Sequence, residues 1–336
     1  MVVKSFIHCA DLHLGAKNPK LSLVKQKQLS QEHLEKLEDI FLSNTDVVVI
    51  CGDLFHQRTV TKKISSIFFD YVKNFSKPVL YVCGNHDEKF EFDMLPENFY
   101  ILNYHNPVFK TENVDFWCKD ADFLNFDNEK INVLLLHGEI FNKEDNDYID
   151  IKKYLIKPFD YVALGHQHSF WQSNINNTKL VYAGATFGNG FDECGQKGYV
   201  KVDIQKPLTY SFVPVSQREF KIINFDISNI ENDLVLKNKL SSIMKQEKDN
   251  LVRINLTGYY SEENKPNFNI LAFDNFYYEF VDKTKLKIDF QKYKNEPLSF
   301  KAEFIKLVEQ LECDEEEKNK ILTIGLEALQ GEDLSI

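Results

Sequence analysis

Four short apolar runs punctuate the first half of the chain: Val47-Val-Val-Ile50, Val79-Leu-Tyr-Val82, Val133-Leu-Leu-Leu136 and Tyr161-Val-Ala-Leu164. Apolar runs of this length, without polar alternation, predict strands buried on both faces. The opening stretch, Met1 to Cys9, reads as a further core strand. Between these runs the period lengthens. Leu34, Leu37, Ile40 and Phe41 share one helical face, and Ile64, Ile67, Phe68, Tyr71, Val72 and Phe75 share a second, in the i, i+3, i+4 pattern of an amphipathic helix. Strand, loop, helix, strand predicts an α/β layered domain, in which ligands gather beyond the carboxyl ends of the strands.

From about Lys179 the texture changes to strand-like stretches around Val181, Tyr199 to Val202 and Tyr210 to Val215. Five of the 13 glycines fall between Gly184 and Gly198, a density that suits either a close approach to a ligand or a plain hairpin loop. A boundary is expected near residues 215 to 220, following Pro207 and Pro214. Beyond it come a strand (Phe220 to Phe225), a helix (Asn232 to Lys245), a strand (Leu251 to Leu256) and more strands to about Phe290. Phe304, Leu307, Val308 and Leu311, then Ile321, Leu322 and Leu329, suggest two terminal amphipathic helices split by the acidic run Glu312 to Glu317. The expected segments are a large α/β domain over 1–217, a small α+β cap over 218–297 and helices over 298–336.

Composition narrows the function classes. A chain of 336 residues exceeds most single cores, which agrees with a large domain plus appendages. Six cysteines with no CxxC pair do not read as a disulfide framework. Cys9, Cys51 and Cys83 each stand just ahead of a polar motif and are expected to be small buried residues rather than soft-metal ligands. No run of 18 apolar residues occurs, which argues against a membrane-spanning helix, and no secretory leader pattern precedes the first strand, so a cytoplasmic protein is expected. The formal net charge of -11 is unfavourable for a phosphate-backbone binder. Lys17 and Lys20 follow the first motif, however, and Arg58, Lys62 and Lys63 follow the second. They either make a positive mouth on an acidic body or are ordinary solvated loop charges.

The chemistry lies in five stretches, each just after an apolar run: Asp11-Leu-His13, Gly52-Asp53, Gly84-Asn85-His86-Asp87, His137-Gly138 and Gly165-His166-Gln-His168. Six of the nine histidines lie within these motifs or beside them, so coincidence is a poor account of the set. His8, His33 and His105 complete no pattern and are expected to be structural. A mixed Asp, His and Asn shell suits divalent Mn²⁺ or Fe²⁺ best and tolerates others. A bridging carboxylate holds two such cations about 3.5 to 4 Å apart, where one activates water while both neutralise phosphate oxygens. Asp53, set between an apolar strand and a turn, is the candidate bridge.

The chain resembles the calcineurin-like metallophosphoesterases, and within them the nuclease family called SbcD in bacteria and the meiotic recombination eleven nuclease elsewhere. The resemblance covers roughly residues 1 to 215. It rests on His8-Cys-Ala-Asp11-Leu-His13-Leu-Gly15, Gly52-Asp53-Leu-Phe-His56, Gly84-Asn85-His86-Asp87 and Ala163-Leu-Gly165-His166-Gln-His168. It implies a four-layer α/β/β/α sandwich followed by a capping domain. It further implies two metal ions, most simply Mn²⁺, with Asp11, His13 and His168 on one, Asn85, His137 and His166 on the other, and Asp53 shared. His86 would be the non-ligand acid and His56 would help place the DNA, while Asp87 is a candidate to orient His86. The implied activity is 3′ to 5′ exonuclease on duplex ends and endonuclease on single strands or hairpins, in double-strand break repair. A phosphodiesterase for small nucleotides, favoured by the acidic charge, is the alternative.

The implied partners are DNA, a second copy of the chain and a coiled-coil ABC-type ATPase that would grip the terminal helices. Where the family often has a Tyr-Pro-Gly-Ser-like turn, this chain reads Tyr182-Ala-Gly-Ala-Thr186, although Lys197-Gly-Tyr-Val200 again fits. In the cap, Lys283, Lys285 and Lys287 alternate with Thr284, Leu286 and Ile288. That period puts the three lysines on one face of a strand, where they either track a phosphate backbone or protect a sheet edge. The aromatic cluster Phe273, Phe276, Tyr277, Tyr278 and Phe280 is expected to be core.

Overall fold

The computed structural model describes all residues except 57–61, 88–94, 262–265, 269–270, 288–298 and 331–336. It divides into two compact units, Met1–Lys221 and Ile222–Ile336.

The first unit holds two six-stranded sheets. β1 (Ser5–Ala10), β2 (Val47–Cys51), β3 (Val79–Val82) and β4 (Phe99–Ile101) run parallel in the first sheet. β5 (Val108–Lys110), β6 (Val114–Cys118), β7 (Ile131–His137), β8 (Tyr161–Gly165), β9 (Trp171–Ile175) and β10 (Thr178–Tyr182) form the second, in the order β5-β6-β7-β8-β10-β9. The chain then returns to the first sheet as β11 (Gly198–Asp203), antiparallel to β1, and β12 (Thr209–Pro214).

The four apolar runs are the strands β2, β3, β7 and β8, and their alternate residues feed different layers. Phe6, Val47, Val49 and Leu80 meet Phe116, Val133, Leu135 and Ala163 between the sheets. Ile7, Val48, Ile50 and Tyr81 face the helices α1 (Leu23–Leu42) and α2 (Lys62–Phe75), which contribute Leu37, Ile40, Phe41, Phe68 and Val72. Ser22 caps α1 by accepting a hydrogen bond from the Lys25 amide at 3.4 Å.

The fold class is α/β, as expected, but the fourth layer is built differently. Among the described residues, the outer face of the second sheet carries one 3-10 turn, Ile151–Lys153, and loops that pack Phe123, Phe126, Ile151 and Phe159 onto Trp117, Leu134 and Val162. The connecting segments, such as Lys119 to Lys130, are dense in Asp and Asn, whose side chains compete for backbone groups and favour turns over helix.

His8 lies on β1 with no exposed surface, its Nδ1 3.0 Å from the Tyr161 hydroxyl. Burial pushes its pKa down to about 3 from an ordinary 6.5. The unfolded chain therefore takes up a proton below pH 6.5 that the folded chain refuses, so His8 costs stability progressively as pH falls from 6.5 toward 3. His8→Gln is expected to flatten this part of the profile; parallel urea-midpoint profiles for variant and wild type would exclude it. His33, also expected to be structural, stacks on Phe187 with ring centroids 4.6 Å apart. Cys9 and Cys51 are buried as expected, but Cys83 is exposed, because it stands just past the end of β3 where the chain leaves the sheet.

β13 (Phe220–Asp226) starts with the last two residues of the first unit, and the second unit carries the rest of it with α3 (Asp233–Gln246), β14 (Leu251–Thr257), β15 (Tyr259–Tyr260), β16 (Tyr277–Asp282) and β17 (Lys285–Leu286). β13, β14 and β16 form a three-stranded sheet, and β14 runs parallel to β16. Leu236, Leu240 and Met244 of α3 pack on Val252, Ile254 and Leu256, and of the five aromatics expected to be core, Phe273, Tyr278 and Phe280 join this cluster, partly buried. Asn232 caps α3 through the Val235 amide at 3.0 Å.

Two terminal helices follow, α4 (Phe300–Glu309) and α5 (Glu315–Gln330). Ile305 and Val308 meet Leu322 and Leu326 in their seam. Leu307, Leu311 and Leu329 lie exposed outside it, because both faces of this hairpin are apolar and only one can close the seam. The expected boundary at 297/298 falls outside the described residues. Among the described residues, no helix is long and apolar enough to cross a membrane.

Candidate metal centre

The five motifs sit where strands end. Asp11 follows β1, Gly52-Asp53 follows β2, the Gly84–Asp87 turn follows β3, His137 closes β7, and His166 and His168 follow β8. The chain must turn sharply there while still aiming side chains inward. Asp11, His13, Asp53 and His166 accordingly adopt φ values of 48°, 42°, 50° and 104°. This left-handed region is costly for residues with a Cβ and collects at functional sites. The glycines permit close approach: a Cβ on Gly52 would collide with the His137 ring, and one on Gly84 with the Asp53 carboxylate.

Asp53 lies at the centre. Its Oδ1 accepts a hydrogen bond from the His86 amide at 3.0 Å. Its Oδ2 is 3.7 Å from His13 Nε2 and 3.6 Å from His137 Nε2. The Asp11 carboxylate accepts from the His166 amide at 3.0 and 3.2 Å. His13 Nε2 and His168 Nε2 face one another at 3.2 Å. His137 donates from Nδ1 to the Cys51 carbonyl at 3.0 Å, which fixes its tautomer and leaves Nε2 open, 3.1 Å from Asn85 Oδ1.

Among the described residues, three groups of donor atoms lie mutually within 4.8 Å: Asp11, His13 and His168; Asp11, Asp53 and His137; and Asp145, Asp147 and His166. The first two share Asp11. His166 stands edge-on to His137, with ring centroids 5.5 Å apart, and its Nε2 is 3.9 Å from Asp145.

Residues 4–181 match the family model described as calcineurin-like phosphoesterase. The chain belongs to this family. Among solved structures it is similar to TT1561 of Thermus thermophilus, at 10% identity over 64% of this chain and 100% of that one, with a TM-score of 0.41. It is also similar to a zinc-complexed Vps29 from Entamoeba histolytica, at 13% identity over 63% and 99% with a TM-score of 0.35. A third is a predicted phosphoesterase from Streptococcus pneumoniae, at 12% identity over 65% and 95% with a TM-score of 0.34.

The electrostatics suit the divalent metals that calcineurin-like phosphoesterases use. Asp11 and Asp53 are nearly inaccessible. Burial raises the pKa of both carboxyls, for Asp11 with a further push from the Asp53 charge. Burial, reinforced by neighbouring imidazoles, lowers His13 to about 3, and burial lowers His137 to about 4. Buried carboxylates beside uncharged imidazoles are a donor set that cations would satisfy, and a cation reverses the local preference for protonated acids. His13 Nδ1 is also buried without a hydrogen-bond partner.

His86 and His56 border this cluster but belong to none of the three donor groups. His86 is exposed, its ring centroid 5.1 Å from that of His13 and 6.1 Å from that of His56, to which it is nearly parallel. Asp87 is buried, and its carboxylate accepts from the amides of Leu54, Phe55 and Gly84 at 3.0 to 3.3 Å. It thereby ties the third motif to the second through the backbone. Lys17, Lys20, Lys62 and Lys63 are exposed in the first unit. Arg58 lies outside the described residues. In the second unit Lys283, Lys285 and Lys287 are exposed and Leu286 is buried, which is the alternation expected up to that point.

Several polar residues at the site carry no motif. His168 Nδ1 donates to Glu193 at 2.8 Å, and Lys197 Nζ donates to the His168 carbonyl at 2.6 Å. Glu139 is buried and accepts from the Asn142 amide at 3.3 Å and from the Gln167 side chain. Asp145 and Asp147 flank His166. Apart from the clustered glycines and the Lys197-Gly-Tyr-Val200 match, nothing in the sequence marked these loops, because Glu and Asp are common in loops without a role.

Proposed function

We propose that this phosphoesterase is a two-metal DNA nuclease of the SbcD type, Mn²⁺-dependent, acting 3′ to 5′ on duplex ends and endonucleolytically on single strands or hairpins in double-strand break repair. The observation that carries the two-metal part is the Asp53 Oδ2 atom, between His13 Nε2 at 3.7 Å and His137 Nε2 at 3.6 Å. The motif order that resembles the nuclease family supports the DNA part.

In this reading Asp11, His13 and His168 would hold one ion, Asn85, His137 and His166 the other, and Asp53 would serve both. When bound, such ions would supply water activation and charge neutralisation at the phosphate. The chain's own residues do the rest. His86, exposed and unligated, donates a proton to the departing 3′ oxygen, and His56 beside it helps to place the scissile phosphate. Lys17, Lys20, Lys62 and Lys63, with Lys283, Lys285 and Lys287 of the second unit, contact the backbone of DNA. The protein works as a homodimer with a coiled-coil ABC-type ATPase that binds the α4–α5 hairpin, whose outer face exposes Leu307, Leu311 and Leu329.

A second reading, hydrolysis of small phosphodiesters, is favoured by the net charge of -11. Release of labelled nucleotides from the 3′ ends of linear duplex DNA, with Mn²⁺, Mg²⁺ or chelator and beside a small diester, separates the two. Mn²⁺-dependent release is expected. Hydrolysis of the small diester alone would keep the metal centre and remove the DNA role.

A further inference from the structure

Glu193 belongs to none of the motifs, yet it is 8% exposed and both of its oxygens are engaged. Oε1 accepts from His168 Nδ1 at 2.8 Å, and Oε2 accepts from the Asn189 amide at 3.0 Å. The loop that presents it is itself fastened. The Glu193 amide donates to the Gly190 carbonyl at 3.1 Å, and Asn18, just past the first motif, donates to the Asn189 carbonyl at 3.2 Å. His168 is also held at its backbone, where its carbonyl accepts from Lys197 Nζ at 2.6 Å and from the Ala185 amide at 3.2 Å. Every one of these partners comes from the glycine-rich stretch after β10 or from the loop after β1.

We infer that Glu193 is a positioning residue: it holds the His168 ring through Nδ1 so that Nε2 faces Asp11 and His13, and so sets the affinity of one of the two metal positions. The inference rests on the metal-centre reading of Asp11, His13 and His168. A histidine whose far nitrogen donates to a carboxylate is fixed in orientation and tautomer and becomes a stronger donor at the near one. The contrast with His137 makes the prediction selective. His137 Nδ1 donates to a neutral carbonyl, that of Cys51, at 3.0 Å. The two positions are therefore built with unequal support, and loss of Glu193 acts on the one that contains His168. It also gives the glycine-rich loop a purpose, delivery of a buried carboxylate to the back of a ligand.

The test is titration of the metal-free full-length chain with Mn²⁺, following free Mn²⁺ by electron paramagnetic resonance, for wild type, Glu193→Gln and Glu193→Ala. Wild type is expected to bind two ions. Glu193→Gln keeps the shape and an acceptor oxygen but not the charge, and is expected to weaken one ion about 10-fold; Glu193→Ala is expected to weaken the same ion about 100-fold, the span typical of such partners. The other ion should keep its affinity within about twofold, a selectivity that a merely structural role does not produce. Thermal unfolding of the metal-free forms reports the fold, and if Glu193→Ala does not fold, Glu193→Gln alone decides. Wild-type affinity at both positions in Glu193→Gln overturns the inference, as does equal weakening of both. Failure of the wild type to bind divalent ions overturns the metal-centre reading itself, and this inference with it.

Discussion

Asp53→Ala is expected to leave a folded chain with no measurable phosphodiester turnover. Asp53 Oδ2 lies 3.7 Å from His13 and 3.6 Å from His137, which belong to different donor groups, so Asp53 reaches both of the groups that share Asp11. Metal ions supply several kcal/mol of charge stabilisation in such reactions, and loss of about 4 kcal/mol corresponds to about 10³-fold in rate. The fold should survive, because the Asp11 and Asp53 charges oppose one another in a buried setting. Removing Asp53 relieves Asp11 while leaving the His86 amide without its acceptor, and on balance the metal-free variant is expected to melt no lower than metal-free wild type. Added Mn²⁺ should raise the wild-type melting temperature, since a ligand bound only by the folded state stabilises it, and should raise that of the variant much less. Retained turnover in metal-clean buffer would refute the two-metal reading, and a lower metal-free melting point would assign Asp53 a structural role.

Much of the first unit was legible because both of its signals are local. The runs from Val47 and Val133 are apolar without alternation, since each strand is covered on both faces, and that pattern needs no knowledge of the partner strand. The motif residues were legible for a related reason. A residue at the end of a parallel strand sits at the ligand-binding edge of the sheet whatever the sheet order. The outer layer of the second sheet was not legible, because loop aromatics such as Phe123 and Phe126 pack there with no periodicity to announce them. Glu193 was hidden for another reason: it reaches His168 across 25 residues, and only the folded loop brings them together. In the terminal hairpin, apolar residues on both faces of α4 left the choice of seam open, and Ile305 rather than Leu307 fills it.

On the two-metal nuclease reading, His86→Ala is expected to leave metal binding intact and to lose most activity on substrates with a poor leaving group. The variant should be a clean one. The contact of residue 86 with Asp53 is made by its backbone amide, at 3.0 Å, and the turn is held by Asp87 through the amides of Leu54, Phe55 and Gly84. Neither support needs the imidazole. The ring is exposed, stands beside His56 at 6.1 Å between centroids and lies outside the donor groups, which suits a group that meets substrate rather than metal. A positioned general acid contributes about 10²- to 10⁴-fold, but only where the departing oxygen needs a proton. A 3′ alkoxide does; a nitrophenolate does not. The loss should therefore be about 10²-fold or more on DNA and small on a nitrophenyl diester, with Mn²⁺ affinity unchanged. Equal losses on both substrates would remove the acid role from His86, and weakened Mn²⁺ binding would make it a ligand instead.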